Sequence, residues 1–267
     1  MRVALAAICG SDLHLYHGMM PDTRVGMTFG HEFIGVVEEV GPSVQNVQRG
    51  DRVMVPFNVY CGSCYFCARG LYSNCHNVTP NATAVGGIYG YSHTCGGYDG
   101  GQAEFGCVPF ADVGPAKIPE WMDDEDALLL TDALATGYFG AQLGDIVEGD
   151  TVVVFGAGPV GLYAAKSSWL MGAGRVIVID HLEYRLEKAR TFAHAETYNF
   201  ADYADIVVHM KKTPTISGPM WPPTPSVPRP TATSFNTSRP PSSSCRAVPR
   251  LPSTGRSIPS GRAGRFP

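Results

Sequence analysis

The segment Thr151-Val-Val-Val-Phe-Gly-Ala-Gly-Pro-Val-Gly161 decides how the second half of this 267-residue chain folds. Its first five residues are mostly β-branched and apolar, which is typical of a strand buried on both faces of a parallel sheet. Its last six residues have the spacing GxGxxG, and the proline among them suits the first turn of a helix. The segment therefore predicts a buried strand, a tight turn and a helix.

The residues after this segment repeat the alternation of helix and strand. Apolar runs predict strands at 175–180 and 196–200. Helical patterns lie between and after them, at 159–172, 183–194 and 202–212. Because strands that alternate with helices form parallel sheets, the sequence predicts a doubly wound α/β arrangement here.

The glycine-rich turn also predicts a dinucleotide site. The next strand ends in Asp180, 19 residues after Gly161. In such turns the glycines let a pyrophosphate approach the helix N-terminus, and the acid accepts hydrogen bonds from the ribose. Asp180 would repel the 2′-phosphate of NADP, so the expected cofactor is NAD; a turn without a cofactor is the alternative. The predicted cofactor-binding residues are Gly156, Gly158, Pro159, Val160, Gly161 and Asp180.

Four cysteines form a compact cluster with the spacing C-x2-C-x2-C-x7-C, namely Cys61, Cys64, Cys67 and Cys75. Four thiolates in one loop supply a closed tetrahedral zinc site. Such a site leaves no position for a substrate, so the expected role of this zinc is structural. Buried free cysteines are the alternative.

The cysteine content also bears on location. The chain has eight cysteines and no apolar run of about 18 residues that could span a membrane. Its first residues are too weakly basic, and their apolar run too short, for an export signal. We therefore expect a cytoplasmic location without membrane contact, where thiols stay reduced and bind metals more often than they form disulfides.

Two further segments carry chemistry, Cys9-Gly-Ser-Asp-Leu-His14 and Gly30-His31-Glu32. Cys9 and His31 are ligands that suit Zn²⁺. Between them, the Ser11 hydroxyl and the His14 imidazole can carry a proton. For Cys9 and His31 alone, a buried thiol and an unrelated histidine are the alternative. Strand-like runs at 33–40 and 51–57 place these segments in a β-rich domain.

Taken together and in this order, these motifs resemble the zinc-containing medium-chain alcohol dehydrogenases over about residues 3–212. In that family the third ligand of the catalytic zinc, often a cysteine, lies four residues before a Thr-Gly pair. Here that position is Asp132, before Thr136-Gly137. Asp132 and the glycine-rich loop at 96–105 resemble the branch of glutathione-independent formaldehyde dehydrogenases.

The resemblance implies an α/β fold with a β-rich part. It implies a GroES-like zinc-binding catalytic domain at 1–142 and a partial Rossmann NAD-binding domain at 143–212. It also implies two zinc ions per chain. Cys9, His31 and Asp132 would hold the catalytic one with its fourth position open.

The implied reaction is hydride transfer between a small alcohol or aldehyde and NAD, with the zinc as a Lewis acid. Ser11 would relay the alcohol proton and His14 would pass it toward solvent. Asp12 would orient the histidine ligand, and Glu32 would be an outer or transient ligand. The alternatives are a solvated hydroxyl for Ser11, a surface side chain for His14 and a helix N-cap for Asp132.

A break in composition occurs at Thr213. All 24 acidic residues precede it, whereas 213–267 contains seven arginines and thirteen prolines. We expect this segment to be disordered and without helix or strand, and to be a frameshifted replacement of the family's C-terminal part. Strands before residue 1 are also expected to be missing. Activity is then expected to be impaired.

The family forms homo-oligomers, but the segment that forms its dimer is expected to be absent here. The alternative function is a non-catalytic zinc-binding remnant with a disordered basic tail. Pro225-Ser-Val-Pro228 in that tail could suit an SH3-type groove. The arginines could attract nucleic acid weakly, but no specific nucleic acid partner is expected.

Overall fold

Two main sheets organise the residues that the computed structural model describes, which are 1–79, 86–212 and, as backbone only, 234–236. The first sheet is antiparallel and the second is parallel. The strands are β1 Arg2–Ala6, β2 Phe33–Val36, β3 Arg52–Val55, β4 Asn58–Val59, β5 Gly87–Ile88, β6 Ala116–Lys117, β7 Thr151–Phe155, β8 Arg175–Asp180, β9 Glu196–Asn199 and β10 Ser234–Asn236. The helices are α1 Gly10–Tyr16, α2 Asp124–Leu129, α3 Ala133–Leu143, α4 Pro159–Leu170, α5 Glu183–Ala193 and α6 Ile206–Lys212.

The antiparallel sheet has the strand order β1-β2-β3-β6. Phe33 and Ile34 of β2 pair with Val55 and Met54 of β3, and the first three of these side chains are almost fully buried. The predicted strands at 33–40 and 51–57 are therefore present but shorter than expected. The chain leaves the β2 ladder after Val36, although apolar residues continue beyond it.

This sheet brings two distant segments side by side. Ala6 of β1 lies opposite Phe33 of β2, and the Ala7 amide donates to the Glu32 carbonyl at 2.9 Å. Because the strands run in opposite directions, the residues that follow β1 lie beside those that precede β2. The sheet therefore places the segment at Cys9 next to the segment at His31.

The parallel sheet has the strand order β10-β7-β8-β9 and confirms the predicted alternation of strands and helices. Val152 and Val154 of β7 pack in one buried cluster with α4 and α5. Val153 of β7 packs in another, with Met210 of α6. Helices therefore cover both faces, which explains why β7 is apolar at consecutive positions. The helix predicted from residue 202 begins only at Ile206, after a 3₁₀ turn at Phe200–Asp202.

One expectation about the C-terminal segment is wrong. Ser234–Asn236 forms β10, a short strand parallel to β7, within the segment where the sequence predicted no strand. Backbone hydrogen bonds to the exposed side of β7 are available to any extended segment, whatever its composition. The remaining expectations for 213–267, including Pro225-Ser-Val-Pro228, fall outside the described residues.

In the parts of the chain that the structure describes, no helix is both long and apolar enough to cross a bilayer.

Candidate metal centres and nucleotide turn

Four potential metal ligands converge at one point, Cys9, His31, Glu32 and Asp132. Each offers one donor atom, and these atoms all lie within 4.8 Å of one another. His31 Nε2 is 3.4 Å from Asp132 Oδ2 and 3.8 Å from Glu32 Oε1. Ligands of a tetrahedral zinc are roughly 3.3–3.8 Å apart, given metal–ligand distances of about 2.0–2.3 Å. The spacing of this donor set therefore fits a zinc ion.

Three elements deliver these ligands. Cys9 occupies the N-cap position of α1, and His31 and Glu32 immediately precede β2. Asp132 occupies the N-cap position of α3, but its side chain makes no capping hydrogen bond. Its Oδ1 instead accepts a hydrogen bond from the Thr136 hydroxyl. The capping role weighed for the Asp132 side chain is therefore not what the structure shows.

A buried carboxylate lies beside the imidazole ring of His31. Asp12, 3% exposed, lies with Oδ1 at 3.4 Å from His31 Nδ1. Its other oxygen accepts hydrogen bonds from the Cys9 amide at 2.9 Å and from Gln102 Nε2 at 3.0 Å. This arrangement directs Nδ1 of the ring toward Asp12 and leaves Nε2 facing the other potential ligands.

The acidic groups of this cluster change the pKa values of His31 and Glu32. Burial opposes the charged form of His31, but Asp12, Asp132 and Cys9 raise its pKa to about 12. Burial, followed by the charge of Asp132, raises the pKa of Glu32 above its usual value. The neighbouring acidic groups raise both pKa values, and burial adds to this effect for Glu32 but opposes it for His31. A divalent cation would neutralise this excess of acidic groups.

The two residues of the expected proton relay differ in their surroundings. Ser11 is half-buried on α1, with Oγ 3.5 Å from His31 Nε2. His14 lies one turn later on the same helix and is exposed. The structure thus places Ser11 beside the potential ligands and His14 at the surface, and the relay itself stays a prediction.

The four cysteines also come together, with their sulfurs within 4.8 Å of one another. The sulfurs of Cys64 and Cys75 are 3.8 Å apart. That separation is far longer than a disulfide bond of about 2.05 Å, and it matches two thiolates on one tetrahedral zinc, roughly 3.8 Å. The backbone amide of Cys61 donates to Cys75 Sγ at 3.4 Å, and the side-chain Nδ2 of Asn77 donates to Cys61 Sγ at 3.4 Å.

The thiols of this cluster are not equivalent. Burial opposes ionisation of Cys61, but the backbone amides of Ser63 and Cys64 lower its pKa to about 6. Burial and the neighbouring sulfurs raise the pKa of Cys67 to about 12. One thiolate therefore makes the next harder to form. A cation at the centre would remove this conflict.

The nucleotide turn has the expected form. Gly156 has φ = 97°, a conformation that favours glycine. A Cβ on Gly161 would lie 1.9 Å from the Gly156 carbonyl oxygen, so only glycine lets α4 begin this close to the turn. Gly158 occupies the N-cap position of α4 and Pro159 its first turn, with Val160 between them and Gly161. The turn thus directs backbone amides at the start of α4 outward.

Asp180 is joined to this turn. Its Oδ2 accepts from the Ala157 amide at 2.8 Å, and its Oδ1 accepts from the amides of His181 and Leu182 at 2.7 and 3.0 Å. The carboxylate is 5% exposed. Burial opposes its ionisation, but these three amides, with the Arg185 guanidinium 3.9 Å from Oδ2, hold its pKa below the usual value. Asp180 therefore fixes the turn to the end of β8 as a charged group.

The sequence reasoning missed two residues of the first cluster, Gln102 and Thr136. Gln102 belongs to the glycine-rich loop at 96–105, which packs directly on the segment of His31. A Cβ on Gly100 would lie 2.2 Å from the Gly30 carbonyl oxygen. The run of glycines was a visible signal of such a close approach, but nothing in the sequence names its partner.

Comparisons with known proteins give a consistent result. Residues 1–120 match the family model of the alcohol dehydrogenase GroES-like domain. The zinc-type alcohol dehydrogenase-like protein AdhB of Bacillus subtilis is 44% identical over 214 residues, which are 79% of this chain and 56% of that protein. The glutathione-independent formaldehyde dehydrogenase of Pseudomonas aeruginosa is 42% identical over 210 residues, which are 77% and 50%.

Solved structures agree with these relatives. Alcohol dehydrogenase TADH from Thermus sp. ATN1 aligns with a TM-score of 0.71 at 41% identity, over 79% of this chain and 57% of that one. The chain thus spans about half the length of the curated relatives that it matches.

Proposed function

This chain belongs to the zinc-dependent medium-chain alcohol dehydrogenase family, and from that premise we propose that it is an oxidoreductase for small alcohols or aldehydes. The hydride would move between the substrate carbon and NAD. The observation that carries the proposal is the convergence of Cys9, His31 and Asp132, with donor atoms within 4.8 Å of one another. In the proposed division, 1–142 carries the reacting centre and 143–212 binds the cofactor.

Cys9, His31 and Asp132 would hold a catalytic zinc. When bound, this ion supplies a Lewis acid for the substrate oxygen. Two anionic ligands and one neutral imidazole match its charge. Glu32 would be an outer or transient ligand, because its donor atom lies within 4.8 Å of the other three.

The proton of the alcohol would leave through Ser11. Its hydroxyl lies 3.5 Å from a proposed ligand atom, so it is near the place where a substrate oxygen would sit. A hydroxyl can accept one proton while it donates another. His14, exposed on the same helix, would pass the proton on to water.

The cofactor would lie over the turn at 156–161. Pyrophosphate oxygens would accept from backbone amides at the start of α4, with Gly156, Gly158 and Gly161 permitting the approach. Asp180 supports NAD over NADP, because its buried negative charge repels a 2′-phosphate. The ribose hydroxyls would donate to lone pairs of this carboxylate that the three amides leave free.

The four cysteines would hold a second, structural zinc. All four positions of the ion are then filled by sulfur, so it can take no part in the reaction. Both proposed sites need reduced thiols at Cys9, Cys61, Cys64, Cys67 and Cys75, which supports a cytoplasmic location.

A formaldehyde-like substrate is the finer part of the proposal. It is supported by Asp132, a carboxylate where the resembled family often has a thiolate, and by the similarity to a glutathione-independent formaldehyde dehydrogenase.

The test combines metal content, cofactor binding and turnover on the full chain. We expect two zinc ions per chain, quenching of protein fluorescence on titration with NADH, and slow oxidation of small alcohols with NAD, in keeping with the impaired activity expected from the sequence. A Cys9→Ala/His31→Ala variant should keep one zinc and lose turnover. Two zinc ions and NADH binding without turnover would support the non-catalytic alternative instead, and one zinc in the unaltered chain would contradict the proposal.

A further inference from the structure

The two oxygens of the Asp132 carboxylate have different partners. Oδ2 lies 3.4 Å from His31 Nε2, on the side of the potential ligands. Oδ1 accepts a hydrogen bond from the hydroxyl of Thr136, one turn further along α3. The carboxylate side chain is 14% exposed, so water has limited access to it.

The backbone fixes this arrangement. The Thr136 amide donates to the Asp132 carbonyl at 2.7 Å, as the first regular hydrogen bond of α3. This bond sets the distance between the two residues independently of their side chains. The Asp132 side chain makes no capping hydrogen bond, so it is available to the cluster. The Thr136 hydroxyl is therefore held within reach of a carboxylate oxygen of Asp132, and Oδ1 is the oxygen that it contacts.

An aspartate poses a problem that a cysteine at the same position does not. A thiolate has one donor atom, whereas a carboxylate can bind a metal through one oxygen or through two. A second oxygen would use the coordination position that a substrate needs. Glu32 also has a donor atom in this cluster, within 4.8 Å of the other three.

We infer that the Thr136 hydroxyl holds Asp132 as a one-oxygen ligand and so keeps a coordination position open for substrate. The inference rests on the zinc site proposed above and deepens it. Thr136 is a positioning residue, because it acts through Asp132 rather than on the substrate. Without its hydroxyl, Oδ1 would be a poorly hydrated anionic oxygen that has lost its side-chain donor, and the nearest cation would attract it.

The test uses cobalt(II) in the full chain in place of zinc. The visible d–d absorption of cobalt(II) is strong with four ligands and weakens when a fifth binds. The spectrum of a Cys9→Ala/His31→Ala variant supplies the contribution of the four-cysteine site, which is subtracted. Thr136→Val keeps the shape of the side chain without the hydroxyl, and Thr136→Ser keeps the hydroxyl.

We expect Thr136→Val to retain two metal ions per chain but to lose d–d intensity, and Thr136→Ser to restore it. Turnover of the valine variant should fall about 10–100-fold, the usual effect of removing a partner of a metal ligand. In an Asp132→Cys background, Thr136→Val should leave the spectrum unchanged, because a thiolate has only one donor atom. That background also controls for effects of valine on folding.

The outcomes separate this inference from the proposed function. Equal spectra for Thr136→Val and the unaltered chain would overturn the inference and leave the zinc site intact. Loss of the second metal in Thr136→Val would also overturn it, because the hydroxyl would then support binding itself. Absence of a second metal in the unaltered chain would overturn the proposed function and the inference together.

Discussion

Replacing Asp180 by asparagine tests how the nucleotide turn is held. Three backbone amides donate to the carboxylate, from Ala157 on one oxygen and from His181 and Leu182 on the other. An asparagine amide has only one acceptor oxygen. If that oxygen still accepts the hydrogen bonds from the amides of His181 and Leu182, the NH₂ group faces the amide of Ala157. Ala157 is 1% exposed.

The size of the effect follows from this count. A buried donor that loses its acceptor costs about 1–3 kcal/mol. We therefore expect Asp180→Asn to lower the free energy of unfolding by about 1–3 kcal/mol. Asp202→Asn is the matched control, because it removes the same charge at an exposed site in a nearby turn. We expect that control to stay within about 0.5 kcal/mol of the unaltered chain.

The effect should also depend on pH. The pKa of Asp180 in the folded chain is lower than 3.8, because the amides stabilise its charged form. A group with a lowered pKa stabilises the fold fully above its unfolded pKa, and this stabilisation is lost as the pH falls through the folded pKa. The difference between the unaltered chain and Asp180→Asn should therefore be constant at about pH 5–7 and shrink below about pH 4.

Urea denaturation of the zinc-loaded chain measures both the loss of unfolding free energy and its dependence on pH. Trp169 is a suitable probe, because it is half-buried and its indole N–H donates to the Ala193 carbonyl at 2.8 Å within this half of the chain. If Asp180→Asn lowers the free energy of unfolding no more than Asp202→Asn does, the reasoning is refuted. A difference that does not shrink in acid would refute the assignment of a charged Asp180.

Three further predictions concern the first cluster, the nucleotide turn and the four-cysteine site. Gln102→Leu should weaken metal binding at the first cluster about 10–100-fold, because it removes one of the two hydrogen bonds to Oδ2 of Asp12; unchanged competition with a chelator would contradict this. Gly161→Ala should destabilise the chain by about 1–3 kcal/mol through its clash with the turn. Gly158→Ala meets no atom within 4 Å and should weaken NADH binding while leaving the urea midpoint unchanged; equal midpoints for these two variants would contradict the account. Cys67→Ser should lower the zinc content from two ions per chain to one. A variant that still binds two zinc ions would contradict the four-cysteine site.

The parallel sheet was predictable because its signals are local. Each strand is a short apolar run and each helix follows within a few residues, so periodicity alone gives β7, α4, β8 and α5 nearly to their ends. The turn at 156–161 was predictable for the same reason. Short strands such as β4 and β5 were not, because two residues carry no periodicity.

The first cluster was only partly predictable. Cys9 and His31 each lie in a motif that resembles the family. Their contact, however, depends on the pairing of β1 with β2, which no local pattern encodes. Gln102 is 90 residues from Asp12, and its contact arises from how the glycine-rich loop packs. Asp132 entered through the family resemblance alone, and the hydroxyl of Thr136 was seen only as part of a Thr-Gly pair.

The central claim is that Cys9, His31 and Asp132 hold one metal ion. Anomalous diffraction at the zinc edge from crystals of the full chain tests it most directly. The account predicts two peaks, one among the four cysteines and one bounded by Cys9, His31 and Asp132. A single peak at the four cysteines, from a chain supplied with excess zinc, would contradict it.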